Sequence, residues 1–498
     1  MNHEVLMRSI KKINRFANKR IVFLLFAVFC LGIGMSQAQY KVIYNMGDTG
    51  HAGYANGAFS RGQLTLIGNK LFGATAYGGS NNQGVLYSID TNGSGYKDLL
   101  DFDLTNGGFP WGKLTIIGNV IYGTTSGGGT HDSGCIFSID TSGQNYRDLF
   151  NFNKSSGCIP YCKLIYAKNK FFGMTTKGGS SNCGTVFSID TNGANFQVLL
   201  NFNGTNGQFP YGSLALSGGY LFGMTYMGGA NSLGSIFTLD TNGGGYKDLY
   251  DFSFVSGANP YGDLTLSGSK MYGTTYSGAL WGSGDVFSID TSGSGFKDIY
   301  DFNGSDSSSG YGNTGSLALS GGVLYGTTEY RLGHDSGIIF RIDTDGAHYE
   351  DLHNFMGKYG GVCSYNTLTV NGNQLFGVTD LGGTSNACNA GCGVIFKFTD
   401  TTSTILTLTQ KVYQCPKNIS VFPNPSNGVF TLQVTDEERG MKNIEVYNVL
   451  GEKVFSQLSI CKSKFSIDLF SQPNGIYFYR VVSENGGLVG EGKVVVQK

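Results

Sequence analysis

Short runs of alternating apolar and polar residues, separated by turns rich in Gly, Asn and Asp, cover most of the chain. Period-two patterning predicts half-buried β-strands, because successive side chains of a strand point to opposite faces. The run Lys113-Leu114-Thr115-Ile116-Ile117 predicts a first strand, a, and Gly118-Asn119 supplies the positive φ angles of a two-residue hairpin turn. Ile121-Tyr122-Gly123-Thr124-Thr125 predicts strand b, which ends in a Gly-rich loop. Strand c follows as Cys135-Ile136-Phe137-Ser138-Ile139-Asp140, and the turn Asp140-Thr141-Ser142-Gly143 leads to strand d, Tyr146 to Phe152.

This pattern repeats. A Phe/Tyr-Gly pair recurs at Phe72, Tyr122, Phe172, Phe222, Tyr272, Tyr325 and Phe376, at spacings of 50, 50, 50, 50, 53 and 51 residues. A four-stranded antiparallel unit of this length is a propeller blade, which must stack on its neighbours to bury its apolar faces. Seven a-b-c sets are present, but only six are followed by a strand d. The missing one lies at the other end, where Lys41-Val42-Ile43-Tyr44-Asn45-Met46 matches Lys97-Asp98-Leu99-Leu100-Asp101-Phe102. The pattern therefore predicts an all-β chain: a seven-bladed β-propeller over residues 39–400, closed by its N-terminal strand so that no long edge is exposed. A Thr-rich linker, residues 401–418, leads to a small β-sandwich over residues 419–498.

The segments of the type Tyr122-Gly123-Thr124-Thr125, Gly127-Gly128 and Phe137-Ser138-Ile139-Asp140, recurring over residues 64–398, resemble the Gloeo/Verruco tandem repeat of bacterial surface proteins. That resemblance implies a repeat scaffold and no particular activity. The last eighty residues contain Val421-Phe422-Pro423-Asn424-Pro425-Ser426-Asn427-Gly428, then Tyr447-Asn448-Val449-Leu450-Gly451, Gly475-Ile476-Tyr477 and the terminal strand from Lys493. In this order they resemble the type A C-terminal sorting domain of type IX secretion. The resemblance implies passage across the outer membrane with the secretion machinery as partner, and makes Pro423, Asn424, Pro425, Gly428, Tyr447, Asn448, Gly451, Gly475, Tyr477 and Lys493 the sorting motif. A carbohydrate-binding sandwich is the other reading of this segment.

The N-terminus agrees with export. Arg8, Lys11, Lys12, Arg15, Lys19 and Arg20 precede an apolar run from Ile21 to Ile33 and then Ser36-Gln37-Ala38. This order predicts a secretory signal peptide, residues 1–38. The run is shorter than the ~18 apolar residues that a membrane-spanning helix needs. Cleavage takes six basic residues and one acidic one, and the remaining 28 basic and 34 acidic residues leave a net charge of −6. Charged residues are only 14% of the chain, so solubility rests on Asn, Ser and Thr, and no basic stripe offers itself to nucleic acid.

The repeat itself separates scaffold from candidate chemistry. Thr75, Thr125, Thr175, Thr225, Thr275, Thr328 and Thr379 hold one position of strand b throughout, whereas the next residue varies: Ala76, Ser126, Thr176, Tyr226, Tyr276, Glu329 and Asp380. Glu329 and Asp380, in adjacent repeats, are a candidate acid/base pair, since two carboxylates can protonate a leaving oxygen and activate water. Eleven residues before each Phe/Tyr-Gly pair stand Arg61, Trp111, Tyr161, Tyr211, Tyr261, Thr314 and Tyr365. These rings, with Arg61, are either core wedged between repeats or a rim of flat faces that stacks on sugars. The Asp90, Asp140, Asp190, Asp240 and Asp290 turns fit ordinary turn chemistry rather than calcium loops. His131-Asp132 and His334-Asp335 share a register in repeats that are not neighbours, so neither a metal nor a cofactor is expected. Of ten cysteines nine follow the signal peptide, and export permits disulfides. Loop positions pair Cys183 with Cys158 or Cys162, and Cys363 with Cys388 or Cys392. Two functions remain open: a surface module that binds glycan or protein without catalysis, or an extracellular polysaccharide-active hydrolase or lyase built on Glu329 and Asp380.

Overall fold

The computed structural model describes residues 39–47, 57–304, 310–312, 315–331, 337–355, 367–385, 388, 391–401, 419–434, 442–448, 453–459, 464–483 and 488–498. The signal peptide, nearly all of the linker, Thr314, His334, Asp335, Cys363, Tyr365 and Gly451 lie outside these residues. The chain divides into two compact units, Met1–Thr401 and Thr402–Lys498. Among the described residues, helix is confined to one 3-10 turn, Phe254–Ser256, and no helix is long and apolar enough to cross a membrane.

The described residues of the first unit form seven four-stranded antiparallel sheets, one per repeat, and one two-stranded ribbon, Gly310–Tyr311 with Tyr330–Arg331. In repeat 2 the strands are a, Thr115–Ile117; b, Val120–Thr125; c, Cys135–Asp140; and d, Arg147–Asn151, paired in that order. The Phe/Tyr-Gly signature has a steric cause. Gly123 faces Phe137 across the b–c ladder, and a Cβ at Gly123 would lie 2.6 Å from that ring. The missing side chain lets Phe137 and its counterparts Phe187, Phe237, Phe287, Phe340 and Phe396 bury completely, each contributing about 1.5–3 kcal/mol of transfer free energy.

The c–d ladder carries the same β-bulge in every repeat: Leu86 pairs with Leu100 and Tyr87 with Asp98, so Leu99 faces no residue. The seventh sheet consists of Thr369–Asn371, Gln374–Val378, Val394–Thr399 and, as its fourth strand, Gln39–Asn45. This N-terminal strand bulges at Ile43, the position matching Leu99. Its Met46 N–H donates to the Gly393 carbonyl at 3.0 Å, as Phe102 N–H donates to the Gly84 carbonyl at 3.0 Å. The bulge links consecutive repeats. Gly93, in the c–d turn of repeat 1, has φ +91° and presses on the Ile43 carbonyl, where a Cβ would approach to 2.2 Å. Apolar clusters cross the same boundaries: Phe72 and Leu86 pack with Leu114 and Phe137, and Met46, Phe376 and Ile395 pack with Leu64, Leu71 and Tyr87. The acidic residue opening each turn is engaged within its own repeat; Asp90, Asp190 and Asp290 pair with Lys70, Lys170 and Lys270 of strand b. Asp140 accepts from the Ser142 hydroxyl and from the Ser142 and Gln144 N–H groups, and these bonds, the hydroxyl first, lower its pKa to about 2.

The cysteines depart from the pairing read off the loops. Cys388 is bonded to Cys392, while Cys158, Cys162 and Cys183 are free thiols. Cys162 stands where other repeats carry Gly62, Gly112, Gly212 and Gly262. It therefore turns inward, where its Sγ accepts the Met174 N–H at 3.1 Å and burial pushes its pKa up to about 12. Cys183 instead is half-buried, near Ser181 and Gln208.

The second unit is a two-sheet sandwich. Ile419–Phe422, Val429–Val434 and Lys464–Asp468 form one sheet; Lys453–Ser459, Lys442–Tyr447, Gly475–Ser483 and Leu488–Val496 form the other, in those spatial orders. Phe430, Leu432, Ile444, Val446, Tyr477, Val481 and Val494 belong to its core. Asn424 of the Pro-Asn-Pro segment fastens that loop to the last strand: its Nδ2 donates to the Lys493 carbonyl at 3.2 Å and its Oδ1 accepts the Val495 N–H at 2.8 Å.

Candidate functional site

Just ahead of each strand a, consecutive repeats are stitched together by short polar side chains. Lys163 N–H donates to Ser213 Oγ at 2.8 Å, Ser213 N–H to Asp263 Oδ1 at 2.6 Å, Asp263 N–H to Ser316 Oγ at 2.8 Å, and Ser316 N–H to Thr367 Oγ1 at 3.1 Å. Each donor's partner lies in the following repeat, so residues at one repeat position become spatial neighbours. The equivalent position of repeat 2 holds Lys113, whose ammonium pairs with Asp263 of repeat 5 and donates to Ser316 Oγ of repeat 6 at 3.0 Å. Burial pushes the Asp263 carboxyl up, but the Lys113 charge outweighs it, and the net shift is below the usual carboxylate range. Lys163 is held below the usual lysine range by burial and by Lys113.

Two residues earlier in each repeat the same neighbour relation brings aromatic rings together. The centroids of Trp111 and Tyr161 are 4.8 Å apart at 35°, those of Tyr161 and Tyr211 6.0 Å at 19°, and those of Tyr211 and Tyr261 4.4 Å at 10°. All four rings are half-buried, and their separations fit favourable offset stacking. Tyr226 braces the arc edge-on, at 5.3 Å from Tyr211 and 5.9 Å from Tyr261. At the other end the Arg61 guanidinium lies 4.2 Å over the Trp111 ring, a cation–π contact. The aromatic arc, Arg61 and the polar network, including Lys113, Asp263, Ser316 and Thr367, line one cavity of about 50 Å³.

The two candidate carboxylates meet different surroundings. Asp380 is buried and forms an ion pair with Arg61, Nε to Oδ2 2.9 Å, so repeat 7 reaches the arc through the arginine of repeat 1. Glu329 is half-buried. Burial raises its pKa, although its hydrogen bond with Tyr330 and the charge of Arg61 oppose the shift. Glu329 in turn raises the pKa of Tyr276, after burial. Both carboxylates thus sense one guanidinium, and Asp380 is committed to it.

The aromatic positions were legible as a repeat feature. Lys113, Ser213, Asp263, Ser316 and Thr367 were not singled out, although they share one repeat position whose identity changes from unit to unit. That variability, against a regular background, was the signal available.

The Gloeobacter/Verrucomicrobia repeat matches residues 32–237 and 149–331, together more than half of the chain. The secretion system C-terminal sorting domain matches residues 420–497. No curated protein matches. Among solved structures, the extracellular domain of a one component system from B. thetaiotaomicron is similar at 9% identity and a TM-score of 0.46, covering 93% of this chain and 59% of that one. The extracellular domain of a hybrid two component system from the same organism is similar at 10% identity and a TM-score of 0.45, covering 92% of this chain and 57% of that one. This chain thus spans less than two thirds of the length of either. The polysaccharide lyase Uly1 is similar at 10% identity and a TM-score of 0.44, covering 72% of this chain and 97% of that one. Likeness this distant says nothing of activity.

Proposed function

Because the chain belongs to the Gloeobacter/Verrucomicrobia repeat family and ends in a secretion-system sorting domain, we propose that it is a surface-exposed glycan-binding protein whose seven sheets are the blades of a closed β-propeller. The sorting domain makes it a protein that is secreted or held at the outer-membrane surface by type IX secretion. In this reading residues 1–38 direct export to the periplasm, residues 39–400 are the propeller, with strand Gln39–Asn45 closing the ring, and residues 419–498 address the cargo.

The observation that carries the binding function is the arc Trp111, Tyr161, Tyr211 and Tyr261 at the mouth of one polar cavity. Apolar flat faces beside a few placed polar groups suit a sugar, whose ring faces are apolar and whose edge carries hydroxyls. The catalytic alternative needs two available carboxylates, and Arg61 already engages Asp380. A glycan array probed with the mature full-length protein and with Trp111→Ala tests the proposal. Binding of a defined glycan family that disappears in the variant is expected; a blank array, or identical profiles, would reject it. Removal of residues 419–498 should leave the remainder folded but retained in the periplasm, which cell fractionation and surface proteolysis will report.

A further inference from the structure

The cavity is lined by a polar layer as well as by the aromatic arc, and the polar layer bears on how a ligand can enter. Lys113 comes from repeat 2, yet its ammonium contacts Asp263 of repeat 5 and Ser316 of repeat 6. In a ring of seven repeats these are far apart around the circle, so the side chain spans the axis instead of following the wall. The hydrogen bonds from Lys163 through Ser213, Asp263 and Ser316 to Thr367 tie the same layer together at the wall. A cavity of about 50 Å³ admits roughly three to five waters, enough for the hydroxyl-bearing edge of one sugar. The two cations that line the cavity are matched, Arg61 with Asp380 and Lys113 with Asp263, while burial and Lys113 hold the nearby Lys163 below the usual lysine range. Such ion pairs present donors and acceptors together, which suits hydroxyl groups better than a net charge.

We infer that this is a blind, end-on site that takes the terminal residue of a neutral glycan chain, with the Lys113–Asp263 pair as its polar floor and the aromatic arc stacking on the next sugars outward. The inference rests on the glycan-binding reading above and on ring closure, and adds the part of the glycan that is recognised.

The test is isothermal titration of the mature full-length protein with the cello-, laminari-, manno-, xylo- and malto-oligosaccharide series, two to eight units long, and with each parent polysaccharide. The expected result is a series whose affinity levels off after the first few units and whose polymer binds one protein per chain end, whatever its length. Stoichiometry that grows in proportion to chain length overturns the end-on assignment while sparing the glycan-binding reading. Equal binding of a cyclic malto-oligosaccharide and its linear counterpart does the same. Absence of binding to all five series removes the neutral-glycan assignment, and the array described above then decides whether any glycan binding survives. The paired variant Lys113→Met with Asp263→Asn removes the floor charges together, so neither is stranded, and keeps an acceptor for the Ser213 N–H. About tenfold or greater loss of affinity, equivalent to about 1.4 kcal/mol, is expected with an unchanged melting temperature. Unchanged affinity in a folded variant places the ligand away from the floor and overturns the inference.

Discussion

The turns between strands c and d and the loops ahead of strand a are both repeated around the chain, but their side chains are satisfied in opposite ways. In the turns the opening aspartate is bonded within its own repeat, to the turn itself, as Asp140 is, or to the first lysine of strand b, as Asp90 is to Lys70, and the glycine is pressed against the neighbouring backbone, as Gly93 is. In the loops Trp111, Tyr161, Tyr211 and Tyr261 stack one on the next from repeat to repeat, and the group borders a cavity. Recurrence alone therefore does not identify scaffold. Recurrence satisfied locally does, whereas recurrence that gathers copies of one side chain around an opening builds a surface.

The comparison breaks most completely if the seventh sheet loses its N-terminal strand. Deletion of residues 39–47 removes the strand paired with Val394–Thr399 and the Met46 side chain that joins repeats 7 and 1. A fall in the calorimetric melting temperature of more than about 10 °C is expected, since several kcal/mol are lost at once; an unchanged midpoint would mean an open array. Gly123→Ala drives a methyl group into the Phe137 ring and should cost about 1–3 kcal/mol by overpacking, with glycan binding retained in the folded fraction; chemical denaturation measures it. Trp111→Ala should show the reverse pattern, with binding weakened about 30-fold, or about 2 kcal/mol, and little change in fold. Trp281, 56% exposed on a b–c loop, is the control, and its alanine variant should bind normally.

The smallest effect lies on strand d. Burial first, and then the adjacent Asp301 charge, raise the Asp298 carboxyl to about 7, far above the usual ~3.9 of an aspartate. A folded pKa above the unfolded one penalises the ionised form. Stability is therefore gained as pH falls from about 7 towards 4 and lost as it rises again. Asp298→Asn should raise the melting temperature at about pH 8 and leave it unchanged at about pH 4, by about 1 kcal/mol or less because the group is half exposed.

Local order was legible because it depends on nearby residues: alternation predicts the strands, Gly118-Asn119 the hairpin, and the likeness of Lys41–Met46 to Lys97–Phe102 the fourth strand of the last sheet. The aromatic arc was legible as a position, but its stacking was not, since ring distances depend on how sheets splay. Contacts between remote repeats lay furthest from view. Nothing local distinguishes Lys113 as a residue that reaches across to Asp263, or Asp380 as the partner of Arg61. The cysteine pairing failed for a readable reason: Cys162 replaces a glycine that faces inward, so sharing a face of the loops with Cys183 does not bring the thiols together.

Gln39 lies opposite Thr399 in the ladder that joins the first described strand of the first compact unit to its last. The run of seven sheets therefore starts and finishes at one spot, and which strand comes first is a matter of genetic order rather than of architecture. A circular permutant opened at the exposed a–b turn Gly218-Gly219, with a short Gly/Ser bridge from Thr399 to Gln39, would keep all seven sheets while moving the termini to another edge. For a secreted binding scaffold, this would let the point of attachment be chosen independently of the face that meets the ligand.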